Sequence, residues 1–182
     1  MFTVASPTFE TTLQVSDSCL CLHVQRAARA LARRFDDALR PLGLTNGQFS
    51  LMMSLNRPQP PGMAAVASLL AMDRTTLTAA LKPLRRRGLL KITADPADGR
   101  GRLMTLTAKG RRLLARAVPV WKNTHTAVEA LLRDGDSDRL RDNLLHSPDH
   151  PKKSRIISPV AVFSVANVWW RVLERYGTTV QA

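Results

Sequence analysis

Met72-Asp73-Arg74-Thr75-Thr76-Leu77-Thr78-Ala79-Ala80-Leu81-Lys82-Pro83-Leu84-Arg85-Arg86-Arg87-Gly88-Leu89 decides how the rest of the chain is read. Asp73 is a strong helix N-cap, because its carboxylate can accept the otherwise orphaned N–H groups of the first turn. Leu77, Leu81 and Leu84 then fall at i, i+4 and i+7, one apolar stripe on a helix over 74–87. Arg74, Thr75, Thr78, Lys82 and Arg86 are left on the other faces. Pro83 removes a backbone donor and kinks the last turn, and Gly88 ends the helix.

Upstream, Leu20–Arg40 repeats Leu20, Val24, Ala27/Ala28, Leu31, Phe35 and Leu39 at helical spacing, with Arg26, Arg29, Arg33, Asp36 and Asp37 opposite. Pro41-Leu42-Gly43 stops that helix. Thr45 or Asn46 caps a second one, with Phe49, Met52, Met53 and Leu55 as core candidates. After the Pro-rich loop 57–62 comes a short helix, 63–71, expected to turn Val66 and Leu69/Leu70 inward. Downstream, the β-prone runs Leu89–Thr93 and Leu103–Thr107 flank the turn-rich 94–102 and predict a hairpin. Thr107 caps a long helix from Ala108 to about Leu132, bent at Pro119, and Asp138–Leu145 predicts a shorter one. A Pro/Lys-rich linker follows at 147–155. Val162, Val165, Trp169 and Leu173 then return at helical spacing.

Two short helices, a tight turn, a capped helix with a polar outer face and a hairpin make a winged helix-turn-helix order, so the fold class is mainly α with a small β-hairpin wing. Such a helix enters the major groove with short polar side chains near its N-terminus reaching base edges. Thr75, Thr76, Thr78 and Arg74 occupy that end. The charge agrees. The 182 residues carry 27 Lys+Arg against 14 Asp+Glu, a net +13, with a pI near 11.3, which calls for a polyanionic partner. Asp73–Arg116 alone holds twelve of the cations and three acids, a net +9.

These stretches resemble the MarR family of winged-helix transcriptional regulators. The resemblance runs through Leu42-Gly43-Leu44-Thr45, Gln48-Phe49, Met72–Thr78, Leu84–Leu89, Asp95-Pro96-Ala97-Asp98-Gly99-Arg100 and Leu106-Thr107-Ala108-Lys109-Gly110, covering roughly 18–145. It implies a homodimer on a palindromic operator of double-stranded DNA, a wing that reaches the minor groove, and often a small phenolic or aromatic ligand. Asp98 matches the wing aspartate that braces its arginine, Arg100 matches that arginine, and Arg102 is expected to share its role. The DNA-facing set is then Arg74, Thr75, Thr76, Thr78, Lys82, Arg86, Asp98, Arg100 and Arg102, with Arg85–Arg87 as a phosphate-facing or solvated run. The resemblance divides the chain into a flexible N-terminus (1–17), a helical dimerisation region (18–44 and 108–146), a winged-helix domain (45–107) and an atypical extension (147–182). The expected activity is a repressor released by a ligand.

The two cysteines, Cys19 and Cys21, cannot form a disulfide framework or a zinc ribbon. On one helix their side chains would point roughly 200° apart. Cys21 aligns with the apolar stripe, which makes it a buried structural residue. It also falls where the hydroperoxide-sensing branch of the resembled family carries its reactive thiol, which makes a redox-sensing regulator the alternative. Cys19 precedes His23 and Arg26 by one and two turns, the setting of a reactive thiol. Trp121 and His125 on the long helix are packing residues or, second, ligand contacts.

An enzyme is excluded for want of machinery. There is no Gly-rich phosphate loop and no metal-spaced ligand set, and His23, His125, His146 and His150 form no catalytic arrangement. No cofactor or metal is expected. Residues 1–15 lack a basic flank and apolar run, and Ile156–Trp170 falls short of the roughly 17–25 residues of a bilayer span. A cytoplasmic chain with no membrane partner is the expectation. A peripheral membrane protein anchored by the tryptophans of the tail is the rival class.

Overall fold

The computed structural model describes residues 6–132 and 136–145. Its helices are α1 (Phe9–Ser18), α2 (Leu20–Leu39), α3 (Asn46–Ser54), α4 (Met63–Leu69), α5 (Arg74–Arg86), α6 (Ala108–Glu129) and α7 (Asp136–Leu145). Strands β1 (Leu90–Ala94) and β2 (Arg102–Leu106) stand between α5 and α6. They pair antiparallel from Leu90↔Leu106 to Ala94↔Arg102. A bridge from Gly62 to Leu103 and the Met104 N–H donated to the Pro61 carbonyl at 3.1 Å add the loop before α4 to the sheet edge.

Local chemistry sets each boundary. After α2, a 3₁₀ turn at Arg40–Leu42 ends on Gly43 at φ +64°, a left-handed conformation that glycine adopts without a Cβ penalty. Thr45 and Gln48 then close a reciprocal capping box at the start of α3. Asp36 reaches forward from α2 to accept the Asn46 N–H at 2.6 Å, fixing α3 against α2. The turn between α4 and α5 contains Ala71 at φ +49°, where a non-glycine residue costs on the order of 1–2 kcal/mol.

The core is built where the stripes converge. Leu77, Leu81 and Leu84 of α5 are buried, with Phe49 and Met52 of α3, Val66 of α4, Leu89 and Leu90 at the base of the hairpin, and Met104 of β2. From α6 come Leu114 and Ala117, and from α2 only Phe35 and Leu39. Leu51 and Leu55 are buried as well, while Met53 is half-buried.

Several expectations are corrected. Most of α1 (Phe9–Ser18) falls in the segment 1–17 read as a flexible N-terminus, and its N-cap Thr8 accepts the Thr11 N–H. No residue of that helix is buried, so no burial stripe marked it in the sequence. Leu69 is exposed, because α4 is only two turns long and meets its neighbours through Val66 and Ala67. Leu20, Val24 and Leu31 of the α2 stripe are exposed, and so is Cys21 beside them, rather than buried as structural residues. Cys19 lies at the joint between α1 and α2 in extended conformation, so the two thiols do not share one helix. Both are free. The expected linker and the Trp169/Trp170/Tyr176 segment lie outside the described residues.

The junction of hairpin and α6 is the tightest contact. Thr107 donates its N–H to the Leu89 carbonyl (3.0 Å) and its hydroxyl to the Gly88 carbonyl (2.7 Å), and its Oγ1 accepts the Gly110 N–H (3.0 Å). A Cβ on Gly110 would sit 2.0 Å from the Leu89 carbonyl oxygen, whereas one on Gly47 in α3 would meet nothing within 4 Å. Gly110→Ala therefore loses about 3 kcal/mol to overpacking, outweighing the roughly 1 kcal/mol of helix propensity that alanine supplies. Gly47→Ala is expected to gain up to about 1 kcal/mol. Urea unfolding followed by circular dichroism checks both, and equal effects in the two variants would contradict the close contact.

Candidate nucleic-acid interface

Eight of the twelve cations between Asp73 and Arg116 are exposed and make no side-chain hydrogen bond or ion pair among the described residues: Arg74, Lys82, Arg85, Arg86, Lys91, Arg100, Arg112 and Arg116. The other four are tied to carbonyl oxygens. Arg87 donates to Gly43 at 2.7 Å, which locks the end of α5 to the left-handed turn. Lys109 donates to Arg87 at 3.0 Å, and Arg111 to Leu106 at 2.8 Å. Arg102 donates to Gly101 at 2.9 Å and Gly99 at 3.3 Å. The cationic cluster therefore divides into a structural minority and a solvent-facing majority that no neighbouring carboxylate neutralises.

The N-terminus of α5 is held open by Asp73. Its Oδ1 accepts the Thr76 N–H at 2.8 Å and its Oδ2 accepts the Thr76 hydroxyl at 2.6 Å. Thr78 donates its hydroxyl to the Arg74 carbonyl at 2.7 Å. Arg74, Thr75, Thr76 and Thr78 are all exposed. The end of α5 thus presents two threonine hydroxyl oxygens whose protons point into the protein, with their methyl groups and Arg74 beside them.

The wing loop is fixed from within. Asp95 Oδ1 accepts the Ala97 N–H at 2.9 Å, and Asp98 Oδ1 accepts the Arg100 N–H at 3.0 Å, two Asx turns in succession. The Gly101 N–H donates to the Asp98 carbonyl at 2.7 Å, and a Cβ at Gly101 would sit 2.8 Å from that of Asp95. Asp98 therefore braces Arg100 through its backbone and leaves the guanidinium free. Arg102 differs from Arg100, because its guanidinium closes the loop over the Gly99 and Gly101 carbonyls. The two arginines, expected to share a role, differ in what their guanidiniums touch.

The remaining candidates sit elsewhere. Trp121 is half-buried between Phe49, with ring centroids 6.2 Å apart at 17°, and His125, at 4.7 Å and 12°. His125 Nε2 lies 3.3 Å from Glu129, which also holds Arg141 of α7 at 2.7 Å. These are packing contacts that tie α3, α6 and α7 together. His23 directs its ring Nδ1 at the Cys19 carbonyl, 2.9 Å away, and not at either thiol. Cys21 Sγ accepts from Gln25 Nε2 at 3.1 Å. No described helix is long and apolar enough to cross a membrane.

The fold and this surface define a winged-helix DNA-binding protein. Residues 44–110 match the family model described as "Winged helix DNA-binding domain". The chain is 38% identical to the transcriptional regulator HosA of Escherichia coli O111:H- over 79 residues, 42% of this chain and 57% of that protein. It thus spans little more than half the length of that relative. Among solved structures it is similar to the Mycobacterium tuberculosis transcriptional regulator MosR in complex with DNA, at 40% identity and TM-score 0.63, over 70% of this chain and 93% of that one. Bordetella bronchiseptica BpsR, whose DNA binding is regulated by 6-hydroxynicotinic acid, matches at 25% identity and TM-score 0.64, over 70% of this chain and 91% of that one. The chain belongs to the MarR family of winged-helix transcriptional regulators. Its relatives are regulators, not enzymes.

Hydrogen bonds from the Thr76 hydroxyl and then the Thr76 N–H hold the Asp73 carboxyl below its ordinary value. A carboxyl whose folded-state value is depressed contributes stability above its unfolded value, about 3.9, and loses it as pH falls through the folded one. Asp73→Ala is therefore expected to melt below the wild type at neutral pH, with the gap narrowing below about pH 4. Thermal melts across that range check it, and a gap independent of pH would contradict the assignment.

Proposed function

We propose that this chain is a sequence-specific regulator that binds a palindromic DNA operator as a homodimer and represses transcription until a small aromatic or phenolic ligand releases it. The observation that carries the reading is the set of unpaired guanidinium and ammonium groups on α5 and the wing, beside an α5 N-terminus that presents Arg74 and three threonines. In this reading α5 lies in the major groove. Arg74, Thr75, Thr76 and Thr78 meet base edges or phosphate, and Lys82 and Arg86 meet the backbone. Arg100 enters the adjacent minor groove, where a cation is drawn by the negative potential. Arg102 and Asp98 act by holding the loop that aims Arg100.

Two features support a second protomer. Large apolar side chains are exposed on α1 and the first half of α2, Phe9, Leu13, Leu20 and Val24 among them. Others are exposed at the far end, including Leu131, Leu140 and Leu144. Large apolar side chains exposed in this number at the two ends of the described chain are what a partner protomer would cover. A dimer would read two half-sites about 34–36 Å apart, and a shift of a few ångströms in that spacing unseats both protomers together. Support for an aromatic effector comes from BpsR, which 6-hydroxynicotinic acid regulates.

The second reading, a thiol switch, is favoured by one observation. Cys21 is free, exposed and next to a donor on Gln25. Peroxide would then release DNA from the wild type and not from Cys21→Ser, and identical release by both would remove the reading.

Selection of genomic fragments by the purified protein is expected to return a palindrome. On that duplex, Arg100→Ala should weaken binding roughly tenfold and lower the salt slope by about one, with the melting temperature unchanged. Fluorescence anisotropy across a salt series measures this, and equal affinity for both proteins would remove the wing from the interface.

A further inference from the structure

Of the eight unpaired cations between Asp73 and Arg116, Arg112 and Arg116 are the two that do not belong to α5 or the hairpin. They sit one turn apart on α6 and, with Lys109 and Leu113 of that helix and Arg87 and Leu89 from the α5–β1 junction, line a cleft of about 410 Å³. We propose that this cleft binds a small phosphorylated molecule with an apolar portion, its phosphate on Arg112 and Arg116 and its apolar part on Leu113.

Three observations lead there. First, the charge placement is unfavourable as it stands. Like charges at i,i+4 repel along a helix, and no described carboxylate lies within ion-pair distance of Arg112 or Arg116. A bound dianion removes that penalty and can take charge-assisted bonds from two guanidinium forks.

Second, the walls are set before anything binds. Arg87 is anchored on the Gly43 carbonyl and Lys109 on the Arg87 carbonyl, so both edges are fixed and each keeps spare donors. The floor between them is the half-buried Leu113, backed by Leu89, whose side chain is packed into the core. Convergent cations over a preformed apolar floor are the composition of a small-molecule site.

Third, the cleft lies away from the proposed DNA-reading ends. The 13 residues of α5 put about 20 Å between its N-terminus and Arg87. The five-residue strands put about 17 Å between the wing loop and the base of the hairpin. The site therefore stands independently of the operator reading, and its occupant bridges the winged-helix core and the long helix.

Isothermal titration of the full chain with phenyl phosphate, and with inorganic phosphate for comparison, tests it. Saturable binding is expected, tighter for phenyl phosphate, and weakened about tenfold or more in R112Q/R116Q. A control variant of equal charge change, R26Q/R29Q on α2, should bind phenyl phosphate as the wild type does. R112Q/R116Q should keep its affinity for a duplex selected by the wild type. Equal losses in the two double variants would mean diffuse counterion attraction and would overturn the proposal, as would no saturable heat with the wild type. A loss of duplex affinity as large as the loss of phenyl phosphate affinity would make the cleft part of the DNA footprint instead.

Discussion

The contact of Gly110 on the Leu89 carbonyl is the constraint around which the molecule is arranged. It brings the base of β1, the end of β2 and the first turn of α6 to one point, with Thr107 bonding to Gly88, Leu89 and Gly110 around it. With the hairpin fixed at its base, its loop projects in one direction, and the long helix leaves in another. Both α5 and the wing are referred to that joint, because α5 feeds directly into it through Arg87 and Gly88. The close approach at that joint is possible only because residue 110 has no β-carbon.

The cations show how one residue type serves two purposes. A guanidinium that finds a backbone carbonyl within reach becomes a fastener, as Arg87, Arg102 and Arg111 do. One on an open helix face or a loop tip without an acceptor in reach stays available to a polyanion. Burial does not separate the two groups, since Arg87 and Arg102 are as exposed as Arg100. The separation comes from local geometry: Arg87 lies beside the open carbonyl of a left-handed glycine turn, and Arg102 follows two glycines that bring their carbonyls within its reach.

Much of the fold was legible because its signals are local. The Asp73 and Thr107 caps, the Leu77/Leu81/Leu84 stripe and the Gly43 stop each follow from a few adjacent residues. The bounds of the two strands came within one residue for the same reason. What the sequence did not show depended on partners distant in the chain or on how a loop closes. The Arg87–Gly43 bond spans 44 positions, and the carbonyls that hold Arg102 come within its reach only once the wing loop has folded. Cys21 misled because it shares a periodic stripe with Val24 and Leu31, and periodicity reports which residues share a face without saying what covers that face. Helix α1 escaped notice because a helix with no buried residue leaves no such stripe.

Thr76 and Thr78 give their hydroxyl protons inward, to Asp73 and to the Arg74 carbonyl. What each oxygen still offers outward is lone pairs. Under the proposed reading, base edges that supply hydrogens, the exocyclic amines of adenine and cytosine, are matched to those oxygens, and the threonine methyls suit the 5-methyl of thymine. Guanine's acceptor-only edge is left to Arg74. A capping interaction that looks purely structural would thereby fix these two threonine oxygens as acceptors toward a base edge.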